Sequence, residues 1–444
     1  MKDIARAVDK NRALILDAER YIWKNPETGY KEYKTTAYLA EKFRALGYEL
    51  HMAEDITGFY TTLDTGRPGP TVLVLGELDS IICPGHPESD PETGAVHSCG
   101  HNAQCAALLG VAAALKEPGV TDAMCGKIKL CAVPAEEFLE VEFRRGLRDA
   151  GKIKYFGGKP EFLRRGYFDD VDLAFMVHTS STYCVRQGSN GCLVKNIIYK
   201  GKASHAGGAP WNGVNALYAA TCGLNAINAI RETFKDDELS RVHPIITAGG
   251  AMVNAIPETA VLESYVRGKT TEAIAETNRK VNRALVGAAL SLGANVEIID
   301  IPGYSPLVND QGMIALAKDG FEQMFPGEAF TVYESYSTGS TDMGDLSTVM
   351  PVVHPYAAGN MGQSHGAAYY IADPEKACVN SAKWQVSMLK LLLENGAQRA
   401  KEILAAFKPL FATHEEYFAY MDSLNCNGDR IVYNEDGTAS ADIR

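Results

Sequence analysis

The chain has 444 residues, of which 46% are hydrophobic and 22% charged, as in a globular protein long enough for two domains. Its net charge of -12 argues against a general binder of nucleic acids or other polyanions. No run of about 18 apolar residues is present, so no membrane-spanning helix is predicted. The first residues carry charges throughout and are not expected to form a secretory signal.

The ten cysteines do not suggest a disulfide framework. Several stand in apolar runs, such as "KIKLCAVPA" and "AATCGLNAI", and no CxxC pair occurs. This usage is typical of buried, reduced thiols, so we expect a cytoplasmic protein.

The first third of the chain alternates helical and strand patterns. Helical periodicity covers residues 3–23 and "KTTAYLAEKFRALGY". The apolar runs in "TVLVLG", "KIKLCAV" and "VDLAFMV" then predict three buried strands. Strands that alternate with helices predict an α/β sheet, in which ligands collect beyond the carboxyl ends of the strands.

The pattern changes near residue 187. A strand, a helix, two strands, a second helix and a closing strand follow in order, ending at "NVEIIDIPGY". This is the split βαβ order of a ferredoxin-like module. We therefore predict a large α/β domain of residues 1–186 and 303–444, with an α+β domain of residues 187–302 inserted into it.

Metal-capable residues stand at the ends of the predicted strands and helices. "HSCGHNAQCAALLG" places His97, Cys99 and His101 on alternate positions, and alternate residues of an extended segment point the same way. A thiol and imidazoles packed in a core would explain this stretch alone equally well. "FMVHTS" adds His178 and "GQSHGAAYY" adds His365.

"VPAEEF" places Glu136 and Glu137 together after a buried run. Adjacent carboxylates rarely do the same job, so one is expected to bind metal and the other to act as a general base. The predicted ligands are thiolate, imidazole and carboxylate groups: Cys99, His101, Glu137, His178 and His365. Five ligands suggest two divalent ions that share ligands, with Glu136 left as the base. The donor set favours zinc or manganese, with cobalt and nickel as alternatives.

These motifs resemble a known family, the metal-dependent amidohydrolases and peptidases that include aminoacylase, carnosinase and glutamate carboxypeptidase. "WKNPETGYKEY", "HSCGHNAQCAALLG", "VPAEEF", "GKASHAGGAPWNGVNAL", "STGSTDMGDLS" and "SHG" stand in the family's order, and the likeness covers about residues 20–395. The branch it resembles most contains auxin-conjugate hydrolases and aminobenzoyl-glutamate hydrolase subunits. Asn102 after "CGH" favours the aminobenzoyl-glutamate side.

The resemblance implies a zinc-peptidase-like catalytic domain with a mixed sheet and an inserted lid and dimerisation domain. It implies the same five metal ligands and the same base. It also implies that His205, in the lid, polarises the scissile carbonyl across a homodimer interface, and that Asn254 helps to hold substrate. No arginine matches the family's substrate-carboxylate clamp at "IPGYSPL"; Arg267 is a candidate for that role, and Asp79 is expected to lie behind the ligands.

The expected activity is hydrolysis of an amide bond in a small molecule: an N-acyl or N-aroyl amino acid, such as aminobenzoyl-glutamate, or a dipeptide. Two alternatives stay open. One is a non-catalytic or partner subunit of a heteromeric amidohydrolase. The other is an amidase whose nucleophile is Cys99, paired with His101.

Overall fold

A computed structural model describes residues 1–443, and in it the chain divides into two units. The first unit contains Met1–Gly188, Leu307–Tyr336 and Asp342–His414. The second contains Ser189–Pro306, Ser337–Thr341 and residues 415–443.

The helices are α1 Lys2–Lys10, α2 Arg12–Trp23, α3 Tyr33–Ala45, α4 His101–Leu115, α5 Val141–Asp149, α6 Gly158–Arg164, α7 Ala216–Ile230, α8 Thr271–Ser291, α9 Gln311–Met324, α10 Met343–Ser347, α11 Ser381–Ala406 and α12 His414–Ser423. Short 3₁₀ turns cover Pro210–Asn212, Arg231–Thr233 and Asp236–Glu238, and a π-helical turn covers Glu375–Asn380.

The strands are β1 His51–Met52, β2 Phe59–Asp64, β3 Thr71–Glu77, β4 Ile81–Ile82, β5 Ala95–Val96, β6 Lys127–Val133, β7 Leu173–Phe175, β8 His178–Ser180, β9 Cys184–Ser189, β10 Gly191–Lys200, β11 Arg241–Val242, β12 Ile245–Ala248, β13 Thr259–Gly268, β14 Asn295–Tyr304, β15 Leu307–Val308, β16 Thr331–Ser337, β17 Val352–Val353, β18 Tyr356–Ala358, β19 Asn360–Met361, β20 Tyr370–Ile371, β21 Ile431–Tyr433 and β22 Ala439–Ala441.

A six-stranded sheet in the order β1-β2-β6-β3-β7-β17 organises the first unit. Strands β6, β3, β7 and β17 are parallel to one another. Strand β2 is antiparallel to β6, and β1 is antiparallel to β2. Every residue of β3 is buried, as its continuous apolar run predicts, because helices cover a parallel sheet on both faces. Helix α4 is buried along its whole length, so its small residues allow close packing against the sheet.

The N-terminal helical pattern, predicted as one helix, is two helices. They are α1 and α2, which meet at Asn11, where φ is -100° and ψ is 10°. The second predicted helix is α3, which ends before Gly47 in the left-handed conformation. Glycine adopts this conformation without a steric penalty, so it is a common helix stop.

The second unit is built on an antiparallel sheet in the order β11-β13-β10-β14, with β12 also paired to β13. Helices α7 and α8 pack on it around a separate apolar core. The order and the crossovers are those of a ferredoxin-like module. The predicted fold class, an α/β domain with a mixed sheet and an inserted ferredoxin-like domain, is thus confirmed.

The C-terminal residues 415–443 belong to the second unit. Residues 426–430 run beside β14 through backbone hydrogen bonds between Cys426 and Asp300 and between Arg430 and Val296. The β21–β22 hairpin then adds Ile431 to the second core. No helix within residues 1–443 is long and apolar enough to cross a membrane.

Candidate metal centre

The side chains of the site lie at or just after the carboxyl ends of β3, β6 and β7 and at the start of α4. Glu77 ends β3, Glu136 and Glu137 follow β6, His178 begins β8 and His101 begins α4. The three parallel strands β6, β3 and β7 bring these ends to one edge of the sheet, as expected for a ligand site in such a fold.

The side chains of Cys99, His101 and His178 form one candidate ligand group. Their ligand atoms all lie within 4.8 Å of one another, and Cys99 Sγ is 3.5 Å from His178 Nε2. Imidazole and thiolate are the donors that suit zinc and related divalent ions. Among the described residues, the candidate groups use Cys99 and His101 of the alternating motif but do not use His97.

A second group contains Cys99, Glu137 and His365. His365 Nε2 lies 2.9 Å from Glu137 Oε1. The backbone of His365 is left-handed, with φ at 64°, and its N–H donates to the carbonyl of Ser98. The two groups share Cys99, which is the arrangement that a pair of ions bridged by one ligand requires.

Glu136 joins a third group, with Glu77 and His101. Glu136 Oε2 is 3.9 Å from His101 Nε2. The turn before it holds Ala135 at φ 58°, a conformation that costs a non-glycine residue about 1 kcal/mol or more. The adjacent carboxylates therefore lie in different groups, Glu137 with the thiolate and Glu136 beside Glu77.

Asp79 supports two of the candidate ligands. Its carbonyl oxygen is 2.9 Å from His101 Nδ1, and its carboxylate accepts a hydrogen bond from the backbone N–H of Glu137. A proton on Nδ1 of His101 leaves Nε2 as the ligand atom, and this kind of outer support fixes the ring for a metal. Nε2 of His101 is buried and makes no well-aligned hydrogen bond among the described residues, which fits a ligand atom.

The electrostatics of the site favour ionised ligands. Burial and the Glu137 carboxylate oppose ionisation of Cys99, but the imidazoles of His101 and His178 lower the pKa of its thiol to about 6. Burial likewise opposes ionisation of Glu137, but the contact with His365 brings its pKa down to about 2. Burial, with the charges of Glu77 and Glu137, raises the pKa of Glu136 well above its ordinary value. The residues present therefore fit a pair of divalent cations.

Three charged residues of the site were missed from the sequence: Glu77, Lys159 and Asp342. Lys159 Nζ is 2.5 Å from Glu77 Oε1 and also contacts the Asp342 carboxylate. Glu77 had a usable signal, because it ends a buried strand in "TVLVLGELDS". Lys159 had none, since lysines are rarely buried and its partners are 82 and 183 residues away.

The other predicted site residues, His205, Asn254 and Arg267, lie in the second unit. His205 and Asn254 are exposed, and a backbone hydrogen bond from Ala206 to the carbonyl of Asn254 brings them together. Arg267, near the end of β13, is half-buried and donates to the Ser340 hydroxyl at 3.1 Å.

Comparison with known proteins shows the family to which the chain belongs. The model of peptidase family M20/M25/M40 matches residues 73–391. A human Xaa-Arg dipeptidase is 29% identical over 375 residues, covering 79% of this chain and 78% of its own length. One of the subunits of p-aminobenzoyl-glutamate hydrolase from Escherichia coli is 26% identical, covering 61% of this chain and 70% of its own length.

Among solved structures, a dinuclear metal-binding peptidase of the M20 family from Bacillus subtilis superposes with a TM-score of 0.66 at 19% identity. That likeness covers 87% of this chain and 99% of the other, and it shows a shared fold. Because the family model spans well over half of the sequence, the chain belongs to peptidase family M20/M25/M40. It is a metal-dependent hydrolase that acts on linear amides.

Proposed function

We propose that this chain binds two divalent ions and hydrolyses the amide bond of an N-acyl or N-aroyl amino acid, of the aminobenzoyl-glutamate kind, or of a dipeptide. The observation that supports this most is the pair of ligand groups that share Cys99, with Glu136 beside them. The relatives named as a dipeptidase and as an aminobenzoyl-glutamate hydrolase subunit support both substrate classes.

The proposed ligands are Cys99, His101 and His178 for one ion and Cys99, Glu137 and His365 for the other. Zinc is the first choice because a thiolate is shared, and manganese is the second, with cobalt and nickel as further alternatives. Bound ions would supply a Lewis acid for the amide carbonyl and would lower the pKa of a water molecule.

Glu136 is the proposed general base. It would accept a proton from the attacking water and pass that proton to the nitrogen of the leaving amine, so that the C–N bond breaks without expelling an amide anion. Glu137, with its carboxylate facing Cys99 and His365, would stay a ligand throughout.

His205 is proposed to polarise the scissile carbonyl of substrate bound to the partner chain of a homodimer. Nδ1 of His205 accepts hydrogen bonds from the backbone N–H groups of Gly207 and Gly208, at 3.2 and 2.9 Å. In the neutral ring the proton must then be on Nε2, which can donate to a carbonyl oxygen as negative charge develops there. Asn254 and Arg267 are the proposed substrate-binding residues.

A cytoplasmic location is also part of the proposal. All ten cysteines are free thiols in the structure. Free thiols in this number suit a reducing compartment.

The test is a substrate panel after metal exchange. The protein is stripped with EDTA, reloaded with Zn²⁺ or Mn²⁺, and assayed on aminobenzoyl-glutamate, N-acyl amino acids and dipeptides, including dipeptides that end in arginine. We expect loss of activity on stripping and its return on reloading. Activity in metal-free buffer that iodoacetamide abolishes would instead support the Cys99 amidase, and turnover that appears only with a second type of chain would support a partner subunit.

A further inference from the structure

A buried lysine lies behind the candidate metal centre. The Lys159 side chain is fully buried, and so are the carboxylates of Glu77 and Asp342 that hold it. The backbone N–H of Lys159 also donates to Asp342, at 2.9 Å. One side chain thus joins the end of β3, the start of α6 and the residue before α10.

The backbone around Lys159 is built for this close approach. A Cβ atom on Gly158 would lie 1.7 Å from the carbonyl oxygen of Pro134, and one on Gly157 would lie 3.3 Å from Asp342 Oδ2. Pro134 is two residues before Glu136. The two glycines of "FGGKPEF" therefore let the start of α6 press against the turn that carries the proposed base.

Stability alone is a weak reason for this triad. Each buried ion costs several kcal/mol of desolvation, and apolar side chains of similar volume often replace buried ion pairs with no loss of stability. Apolar contacts would join the same three segments as well. The charge of Lys159 needs another explanation.

Glu77 connects Lys159 to the proposed ligands. Its Oε1 faces Lys159, while its Oε2 accepts a hydrogen bond from the Gln104 amide at 2.9 Å and lies 3.1 Å from His101 Nε2. Both oxygens of Glu77 are thus fixed. Without Lys159, an uncompensated carboxylate would stand next to His101 and Glu136 and would be free to turn towards a bound ion.

We propose that Lys159 is a positioning residue of the metal centre. It holds the Glu77 carboxylate in place and neutralises its charge, so that Glu77 stays beside His101 and does not turn towards the ion that His101 binds. This inference rests on the proposed function. The expected effect of losing Lys159 is a drop in Zn²⁺ affinity of about 10- to 100-fold, the usual range for an outer-shell partner of a ligand.

The experiment compares Lys159→Met with a matched control, Lys195→Met. Lys195 is also a fully buried lysine, paired with Asp300 and bonded to Asn278 and Asn282 at 2.8 and 2.6 Å. It lies in the second unit, which contains none of the five proposed ligands. Both variants remove a buried cation from a carboxylate, so both are expected to lower the melting temperature.

The deciding readout is Zn²⁺ affinity, measured by competition with a chromophoric chelator and independent of activity. Lys159→Met should bind Zn²⁺ about 10-fold or more weakly, and Lys195→Met should match the wild-type protein within about twofold. A Zn²⁺ affinity of Lys159→Met equal to that of the wild-type protein would overturn the inference. So would a loss of Zn²⁺ in Lys195→Met as large as that in Lys159→Met, since it would trace the effect to general destabilisation.

If Lys159→Met does not fold, Glu77→Gln decides, because it keeps the size of the side chain and leaves Lys159 paired with Asp342. It should also weaken Zn²⁺ binding about 10-fold, and unchanged affinity would overturn the inference. If the wild-type protein bound neither Zn²⁺ nor Mn²⁺, the proposed function would be overturned. If Lys159→Met and Glu77→Gln bound Zn²⁺ as tightly as the wild-type protein, only the role of Lys159 would be overturned.

Discussion

Two buried clusters, the candidate metal centre of the first unit and the Lys195 cluster of the second, differ in how they satisfy buried charge. In the second unit the buried Lys195 is enclosed by one carboxylate and two amides, all within hydrogen-bond distance. In the first unit, buried atoms of Asp79, His101 and Glu137 make no well-aligned hydrogen bond among residues 1–443.

These atoms face other titratable groups instead: Glu137 Oε1 lies 2.9 Å from His365 Nε2, and His101 Nε2 lies 3.1 Å from Glu77 Oε2. Buried titratable groups packed this closely form an arrangement that their own hydrogen bonds do not fully satisfy. Cations would complete it. The second unit instead exposes its proposed functional residues, His205 and Asn254. From this difference we expect catalysis in the interior of the first unit and contact with substrate at the surface of the second, and four experiments test that expectation.

We expect the greatest loss of activity from a change at Glu136. Glu136→Gln keeps the shape of the side chain but cannot accept a proton, so turnover should fall about 100-fold or more while metal content stays at the wild-type level. Steady-state kinetics and elemental analysis of the same preparation measure both. Glu137→Gln is the paired variant and should lose metal; near-normal turnover with full metal in both would show that the two carboxylates are wrongly assigned.

Cys99→Ala should have the next largest effect. Because Cys99 belongs to both ligand groups, its loss should reduce the content of both ions, from about two equivalents per chain towards zero. Cys378→Ala is the control, since Cys378 is a buried thiol of the apolar core. If Cys99→Ala retained two equivalents, or if the wild-type protein were fully active with one ion, the shared-ligand arrangement would be refuted.

His205→Ala should keep its metal and turn over poorly, because no described ligand group contains His205. Subunit exchange with Glu136→Gln tests whether it serves the partner chain. If it does, a mixed dimer has one site with both lesions and one with neither, so an equimolar mixture should recover activity in about a quarter of its sites. Mixtures shown to contain the heterodimer but without recovery would place His205 in its own chain's site.

The smallest expected effect concerns the C-terminal tail. Ile431 is 2% exposed in the second core, so Ile431→Ala should destabilise the protein by about 2 kcal/mol. Val432, on the same strand, is 59% exposed, and Val432→Ala should change stability by about 0.5 kcal/mol or less. Thermal denaturation of both measures the difference; equal melting temperatures would mean that the tail does not pack on the second unit in solution.

Local sequence patterns predict the main helices and strands and the five proposed ligands. Apolar runs followed by metal-capable residues predicted both the strands and the side chains placed after them, as for β6 with Glu137 and β7 with His178. These signals are local, because an apolar run that predicts a buried strand and the polar residue that follows it occupy consecutive positions in the sequence. The split βαβ order was readable for the same reason.

The sequence does not reveal which distant groups meet in the folded chain. Lys159 looks like a surface lysine in the sequence, and it becomes part of the site because α6 and the residue before α10 both meet the end of β3. The association of the tail with β14 is likewise a pairing of segments more than a hundred residues apart. The partner of a buried charge or of a strand edge depends on which segments the fold brings within hydrogen-bond distance. The spacing of residues in the sequence does not give that distance.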